Sequence, residues 1–279
     1  KKFLPDLNYD LLPTVTSDKK FEYRNRIQLK HFQDKIGYFK PNSHDIVPIT
    51  DCLIAEAPIR SKIAELAQTL KPSIELKKYE IKINQEGKTE YYDIGSHGEG
   101  LAFSQVNNSV NQLLVDETLK QIKSLIPTDF SGLMTELYAG AGNFTFALAQ
   151  AFTKMKIEAV ELNHRLTAAA VEIVKTKKLI KQVTFFTTKV ETFAFHQPLS
   201  SKIILLDPPR SGCLPEVIRR IADKKPEHIV YVSCHPTMLA RDIALFIKSS
   251  PEYQIKHLQI FDMFPQTDHF ETLCILSIR

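Results

Sequence analysis

From residue 107 to its end, the chain alternates short apolar runs with stretches of helical spacing. This order constrains the fold more than any other feature. Helical patterns over 107–126, 143–152, 163–177, 215–223 and 237–249 are interleaved with strand-like runs at 133–137, 157–160, 183–187, 203–206 and 228–232. Parallel strands need long crossovers, and a helix supplies a right-handed one. The alternation therefore predicts an α/β domain on a mostly parallel sheet. Two further runs, near 255–261 and 271–278, have no helix between them and should pair antiparallel. That makes seven strands, with no helix expected between 187 and 203.

Residues 1–100 have another texture. Phe21, Tyr23, Ile27 and Leu29 alternate with polar neighbours, which predicts a half-buried strand. Asp34 to Gly37 reads as a turn, and 45–50 as another strand. Ile59, Ile63, Leu66 and Leu70 recur at helical spacing up to Lys71-Pro72. Residues 74–84 alternate, Glu86-Gly87 turns, and 89–94 reads as the hairpin partner. Gly95, Gly98 and Gly100 suggest a boundary near residue 100. The expected division is a small α+β region over 1–100 and a larger domain over 101–279.

Composition narrows the class. With 43% hydrophobic and 24% charged residues, neither a disordered nor a fibrous chain is expected. Four cysteines without a CxxC pair exclude a disulfide scaffold and a zinc ribbon, so no metal is expected. No apolar stretch approaches membrane length, and the first residues lack a signal-peptide core. A cytoplasmic monomer without membrane association is the expectation. The net charge of +4 permits a nucleic-acid partner without demanding one.

Three segments carry candidate chemistry. Glu136-Leu-Tyr138-Ala-Gly140-Ala-Gly142-Asn143 joins a strand to a helix. Its glycines allow close ligand approach, and the helix start adds partial positive charge. Thr145 replaces the third glycine of a dinucleotide fingerprint, which favours a nucleoside without phosphates, such as S-adenosylmethionine. Glu161 ends the next strand, where an acid can accept from ribose hydroxyls. A purely structural turn with a surface acid fits the glycines equally. Asp207-Pro208-Pro209-Arg210 follows the apolar run 203–206, and its prolines hold the acid and guanidinium in place. A simple helix-capping acid is the plainer alternative. Cys234 follows the run 229–232 and precedes a helix start, where its thiolate should be stabilised. Cys52, Cys213 and Cys274 read as packing residues. His269 and Glu271 lie on the link between the last strands, making Glu271 either a proton acceptor or an ordinary hairpin carboxylate.

Together these segments resemble the RNA uracil-5-methyltransferase family. The resemblance runs from about Tyr23 to the end. It is carried by Phe103-Ser-Gln105-Val-Asn107, the 136–145 motif, Asp207 to Arg210, Ser233-Cys234-His-Pro236, Leu239-Ala-Arg241-Asp242, Met263-Phe-Pro265 and His269-Phe-Glu271. It implies a class I methyltransferase fold, Rossmann-like, with a seven-stranded mostly parallel sheet and an antiparallel C-terminal strand, plus a small N-terminal α+β substrate-recognition domain. It implies S-adenosylmethionine held by Gln105, Tyr138, Gly140, Gly142, Asn143, Glu161 and Asp207. Cys234 is then the nucleophile and Glu271 the proton acceptor, with Asp207 and Arg210 on the uracil edge. RNA is the implied partner, either tRNA or ribosomal RNA. Arg24, Arg26, Lys30 and Lys40 are candidate phosphate contacts, and Tyr38 and Phe39 stacking groups. A solvated strand face explains these six equally well.

Departures from the family are Ala139 where relatives commonly carry Cys, and His235 where they carry Asn. No acid ends the third strand near Thr187 to name an adenine partner. The iron–sulfur cysteines of some members are absent, so no cluster is expected. Alternatives are methylation of another base atom, a non-catalytic RNA-binding relative and, more remotely, a nicotinamide dehydrogenase.

Overall fold

The structure is a computed structural model and describes residues 9–84, 86–94 and 105–278. The Gly95–Gly100 segment, Phe103 and Ser104 lie outside the described residues. The chain divides into two compact units.

One unit comprises Ser17–Ser109 with Phe264–Thr267. Its sheet holds β1 (Arg26–Gln33), β2 (Lys35–Phe39), β3 (Ile46–Pro48), β4 (Ser73–Ile83) and β5 (Thr89–Asp93), in the order β3-β2-β1-β4-β5. Every pairing in it is antiparallel. Helix α1 (Ala57–Thr69) buries Ile59, Ile63 and Leu66 in one core with Ile27, Leu29, Tyr79 and Ile81. The alternation in β1 is thus met at Ile27 and Leu29, but Phe21 precedes the strand and is 48% exposed. The expected turn at 34–37 is shorter than its sequence suggests. Phe32 pairs with Lys35, Gln33 adopts φ 55°, and Ile36 and Gly37 already belong to β2.

This unit extends past residue 100. Asn25 N–H donates to Val106 O at 3.0 Å, and Asn25 Nδ2 donates to Gln105 O and Asn108 Oδ1 at 3.2 and 2.8 Å. Tyr23 O–H donates to Pro265 O at 2.9 Å. These long-range bonds attach 105–108 and the loop near Pro265 to the strands, which glycine spacing could not reveal.

The other unit comprises Lys1–Thr16, Val110–Met263 and Asp268–Arg279. After α2 (Asn108–Leu125) come β6 (Leu133–Leu137), α3 (Asn143–Ala151), β7 (Lys156–Glu161), α4 (His164–Thr176), β8 (Val183–Thr187) and α5 (Val190–His196). Then follow β9 (Ile203–Leu206), α6 (Pro215–Lys224), β10 (His228–Ser233), α7 (Pro236–Ser249), β11 (Tyr253–Phe261) and β12 (Glu271–Ile278). The strand order is β11-β12-β10-β9-β6-β7-β8, with β12 antiparallel to both neighbours. This is the class I methyltransferase sheet. Helix α5 was not expected. It is only seven residues long, two turns around buried Val190, Phe193 and Ala194, too short for its period to stand out.

All four residues of β9 are buried, as expected for a strand covered on both faces. The edge strand β11 is covered in part by the N-terminal segment. Leu12 N–H donates to Leu258 O, and Val15 bridges Phe261 in parallel. Among the described residues, no helix is long and apolar enough to cross a membrane.

Candidate active site

The strand order locates the site. From β6 the chain first proceeds outward through β7 and β8, then returns to the other side of β6 as β9. The crevice at the carboxyl ends of β6 and β9 is the topological switch point, where open α/β sheets bind ligands. Asp207 N–H donates to Leu137 O at 3.3 Å, so the two loops leave the sheet side by side.

The loop after β6 is conformationally special. Tyr138, Gly140 and Gly142 have φ of 64°, 57° and 90°. At Gly142 an added Cβ would lie 2.5 Å from the Phe146 ring, whereas at Gly140 it would meet no atom within 4 Å. Gly140 thus opens on free space, the cradle a ligand needs. Glu161 braces this cradle. Its Oε2 accepts from Gly140 N–H at 3.0 Å and its Oε1 from Asn163 N–H at 2.7 Å. Each carboxylate oxygen keeps a further lone pair for a ribose hydroxyl. Asn143, at the exposed start of α3, exchanges two 3.0 Å amide hydrogen bonds with Asn111. Gln105 falls in the other unit. Ala139 is 5% exposed, with its N–H bonded to Val160 O, a packing position.

The chemistry-bearing side chains converge one strand over. Register Ser233↔Thr272 between β10 and β12 sets Cys234 level with Glu271. Asp207 follows β9, which pairs with β10 through Tyr231↔Leu206. Two carboxyl groups and a thiol gather near one guanidinium, and their electrostatics follow. Burial pushes Asp207 up to about 7. Glu271 is held well above the usual carboxylate range, first by burial and then by Asp207, with Arg210 opposing. The Cys234 thiol is pushed up by burial and by Glu271, with Arg210 pulling it down and Asp207 adding to the rise. This reverses the expected stabilisation of the thiolate. Cys234 precedes the cap residue of α7, and desolvation with two acids outweighs the helix terminus and the guanidinium.

Two groups passed unnoticed as site residues in the sequence. Glu136, on β6, is 1% exposed and receives a 2.5 Å hydrogen bond from Thr145 Oγ1. Burial raises it to about 8 against that bond, and Asp207 adds to the rise. An acid within the strand Leu133–Leu137 was its only signal. Asp242 is fully buried on α7, signalled by an acid among Leu239, Ala240, Ile243 and Phe246. His235 is explained by its place. Its Nδ1 accepts from Met238 N–H at 3.4 Å as the cap of α7, the service an Asn side chain performs.

The candidate RNA contacts lie in the other unit and are partly engaged there. Arg26 donates to buried Glu80 at 2.6 Å, and Tyr38 O–H donates to Cys52 Sγ at 3.6 Å. Lys30 Nζ lies 5.5 Å from the centre of the Phe39 ring. Arg26 and Tyr38 therefore each already hold a partner within this unit.

Known proteins bear on this arrangement. The family model described as tRNA (uracil-5-)-methyltransferase matches residues 92–279. An uncharacterized RNA methyltransferase of Bdellovibrio bacteriovorus is 38% identical over all of this chain and 70% of its own length. A 23S rRNA (uracil-C5)-methyltransferase of Photobacterium profundum is 34% identical over 68% of this chain, which spans 40% of that protein. The crystal structure of Pyrococcus abyssi tRNA (uracil-54, C5)-methyltransferase with S-adenosyl-L-homocysteine has the same fold, with a TM-score of 0.74. It covers 99% of this chain and 81% of its own, at 21% identity. By the family model that matches residues 92–279 and the relative 38% identical along the whole of it, the chain belongs to the tRNA (uracil-5-)-methyltransferase family.

Proposed function

We propose that this protein methylates C5 of a uracil in RNA, forming 5-methyluridine in tRNA or ribosomal RNA by way of a covalent Cys234 adduct. The observation that carries this reading is that the β10–β12 register, ending at Ser233↔Thr272, sets Cys234 just past β10 level with Glu271, with Asp207 and Arg210 acting on the same thiol. Transfer to a nitrogen lone pair needs neither a thiol nor a second base.

The residues around the switch point fit S-adenosylmethionine. Gly140 leaves open space, Glu161 offers ribose acceptors, and Tyr138, Gly142, Asn143 and Asp207 surround the same loop ends. When bound, S-adenosylmethionine supplies an electrophilic methyl group. The protein's own residues do the rest. Cys234, partly open to solvent, gives its proton to water, and its thiolate sulfur bonds to uracil C6. The C5–C6 π electrons move onto the O4 enolate, and C5 becomes nucleophilic. Arg210 donates toward the developing charge. Once C5 carries the methyl, Glu271 as carboxylate takes the C5 proton. The C6–S bond then breaks, restoring the double bond and the thiolate. The target base leaves its stack to reach this site. Arg24, Lys30 and Lys40, with Phe39, are the remaining candidates for RNA backbone and stacking contacts.

Nucleoside mass spectrometry of tRNA and ribosomal RNA, from cells with and without the protein, tests this. Loss of one 5-methyluridine on deletion is expected. Loss of a methylated nitrogen instead would overturn the reading.

A further inference from the structure

The Asp207–Arg210 loop is latched to the helix that follows the nucleophile. Asp242 sits on α7 with its carboxylate fully buried. Its Oδ2 accepts from Cys213 N–H at 2.8 Å and from Tyr231 O–H at 2.6 Å. Its Oδ1 accepts from Arg241 Nε at 2.8 Å and lies 2.6 Å from Arg241 Nη2. Arg241 Nη2 in turn donates to Cys213 O at 2.8 Å and Ser211 O at 3.2 Å. Between them Gly212 passes so closely that an added Cβ would lie 2.7 Å from both Arg241 Nη2 and Asp242 Oδ2.

One carboxylate therefore joins three segments. Tyr231 lies on β10, three residues before Cys234. Asp242 and Arg241 lie on α7, which starts two residues after Cys234. Ser211 to Cys213 close the loop that begins at Asp207 and carries Arg210, with Pro208 and Pro209 stiffening its first half. A buried ion pair adds little net stability compared with apolar packing, but it fixes geometry well. All of these bonds act on the distance between the Arg210 loop and the Cys234 strand.

We propose that Asp242 is a positioning residue that, with Arg241, sets the place of Arg210 relative to the Cys234 thiol. The proposal deepens the methyltransferase reading and depends on it only for its catalytic consequence. Among the described residues, Arg210 is the cation that acts on Cys234, against Glu271 and Asp207. A loop released by about 1 Å would weaken that pull and misplace the guanidinium for the enolate, a displacement that costs on the order of 100-fold in rate.

The test uses the full chain with Asp242→Asn, Arg241→Gln and Arg210→Ala beside the wild type. The first measurement is the pH profile of Cys234 alkylation, read peptide by peptide by mass spectrometry. It needs neither RNA nor methyl transfer. Asp242→Asn and Arg241→Gln should both move the profile to higher pH, in the direction of Arg210→Ala, and hydrogen exchange should show the Cys213 amide losing protection. The second is adduct formation on 5-fluorouridine RNA, expected to slow about 10- to 100-fold, with S-adenosylhomocysteine affinity unchanged. If Asp242→Asn does not fold, Arg241→Gln carries the test, since Arg241 is partly exposed. Unchanged alkylation profiles in folded variants would overturn the proposal. A wild type that methylates no uracil would overturn the functional reading alone, because the alkylation result stands without it.

Discussion

Thr145 Oγ1, in the first turn of α3, donates a 2.5 Å hydrogen bond to the buried carboxyl of Glu136 on β6, joining the two elements that flank the glycine loop. Removing the hydroxyl in Thr145→Val leaves a buried oxygen without its partner. A loss of about 1–3 kcal/mol is expected, measured by urea unfolding. A stability equal to wild type would remove this bond from the account.

Burial gives stability an uncommon pH dependence. Glu136 and Asp207 are raised to about 8 and about 7, while both ionise near 4 in the unfolded chain. Between those limits the folded state holds more protons, so stability falls as pH rises. Their contribution is fully present below pH 4 and is lost as pH climbs through 7 and 8. The melting temperature should drop between pH 5 and pH 9, and Glu136→Gln should flatten that drop. An equally steep fall in the variant would refute the assignment.

Cys234→Ala should abolish turnover and the 5-fluorouridine adduct while S-adenosylhomocysteine still binds. Because the thiol sits above its ordinary value, wild-type adduct formation should keep accelerating with pH through 9. A rate that levels off below pH 8 would contradict the raised thiol.

Glu271→Gln separates the first half of the reaction from the second. Adduct should form and accumulate, because no carboxylate removes the C5 proton, and product release should slow by about 100-fold or more. Single-turnover gels resolve the two steps. Unchanged release would transfer the proton acceptor's role to another group.

The two loop glycines should respond differently to alanine. Gly142→Ala meets the Phe146 ring at 2.5 Å in a left-handed backbone and should cost about 1–3 kcal/mol of stability. Gly140→Ala meets no protein atom, so its loss should appear more in cofactor affinity than in unfolding. Calorimetric titration beside denaturation separates the two. Equal effects of both substitutions on both measurements would show that Gly140 does not face the ligand.

By itself the sequence determined what depends on neighbours along the chain. Apolar period and crossover length specified the sheet over 133–278, because a strand or a helix of ten residues declares its buried face in its own spacing. The glycines at 140 and 142, the Asp207–Arg210 loop and the ends of β10 and β12 were legible for the same reason. Helix α5 was too short to show a period, and Gln105 joined the other unit through a bond from Asn25, eighty positions away. Only the tertiary structure decided how each group is charged and held. A thiol before a helix reads as activated, but folding desolvates Cys234 and sets Glu271 and Asp207 near it, which raises the thiol instead. The same folding turned Glu136 and Asp242 from acids in apolar runs into buried acceptors with defined donors. Desolvation and charge proximity act through space and fall off within a few ångströms, so they depend on which distant segments the sheet brings together.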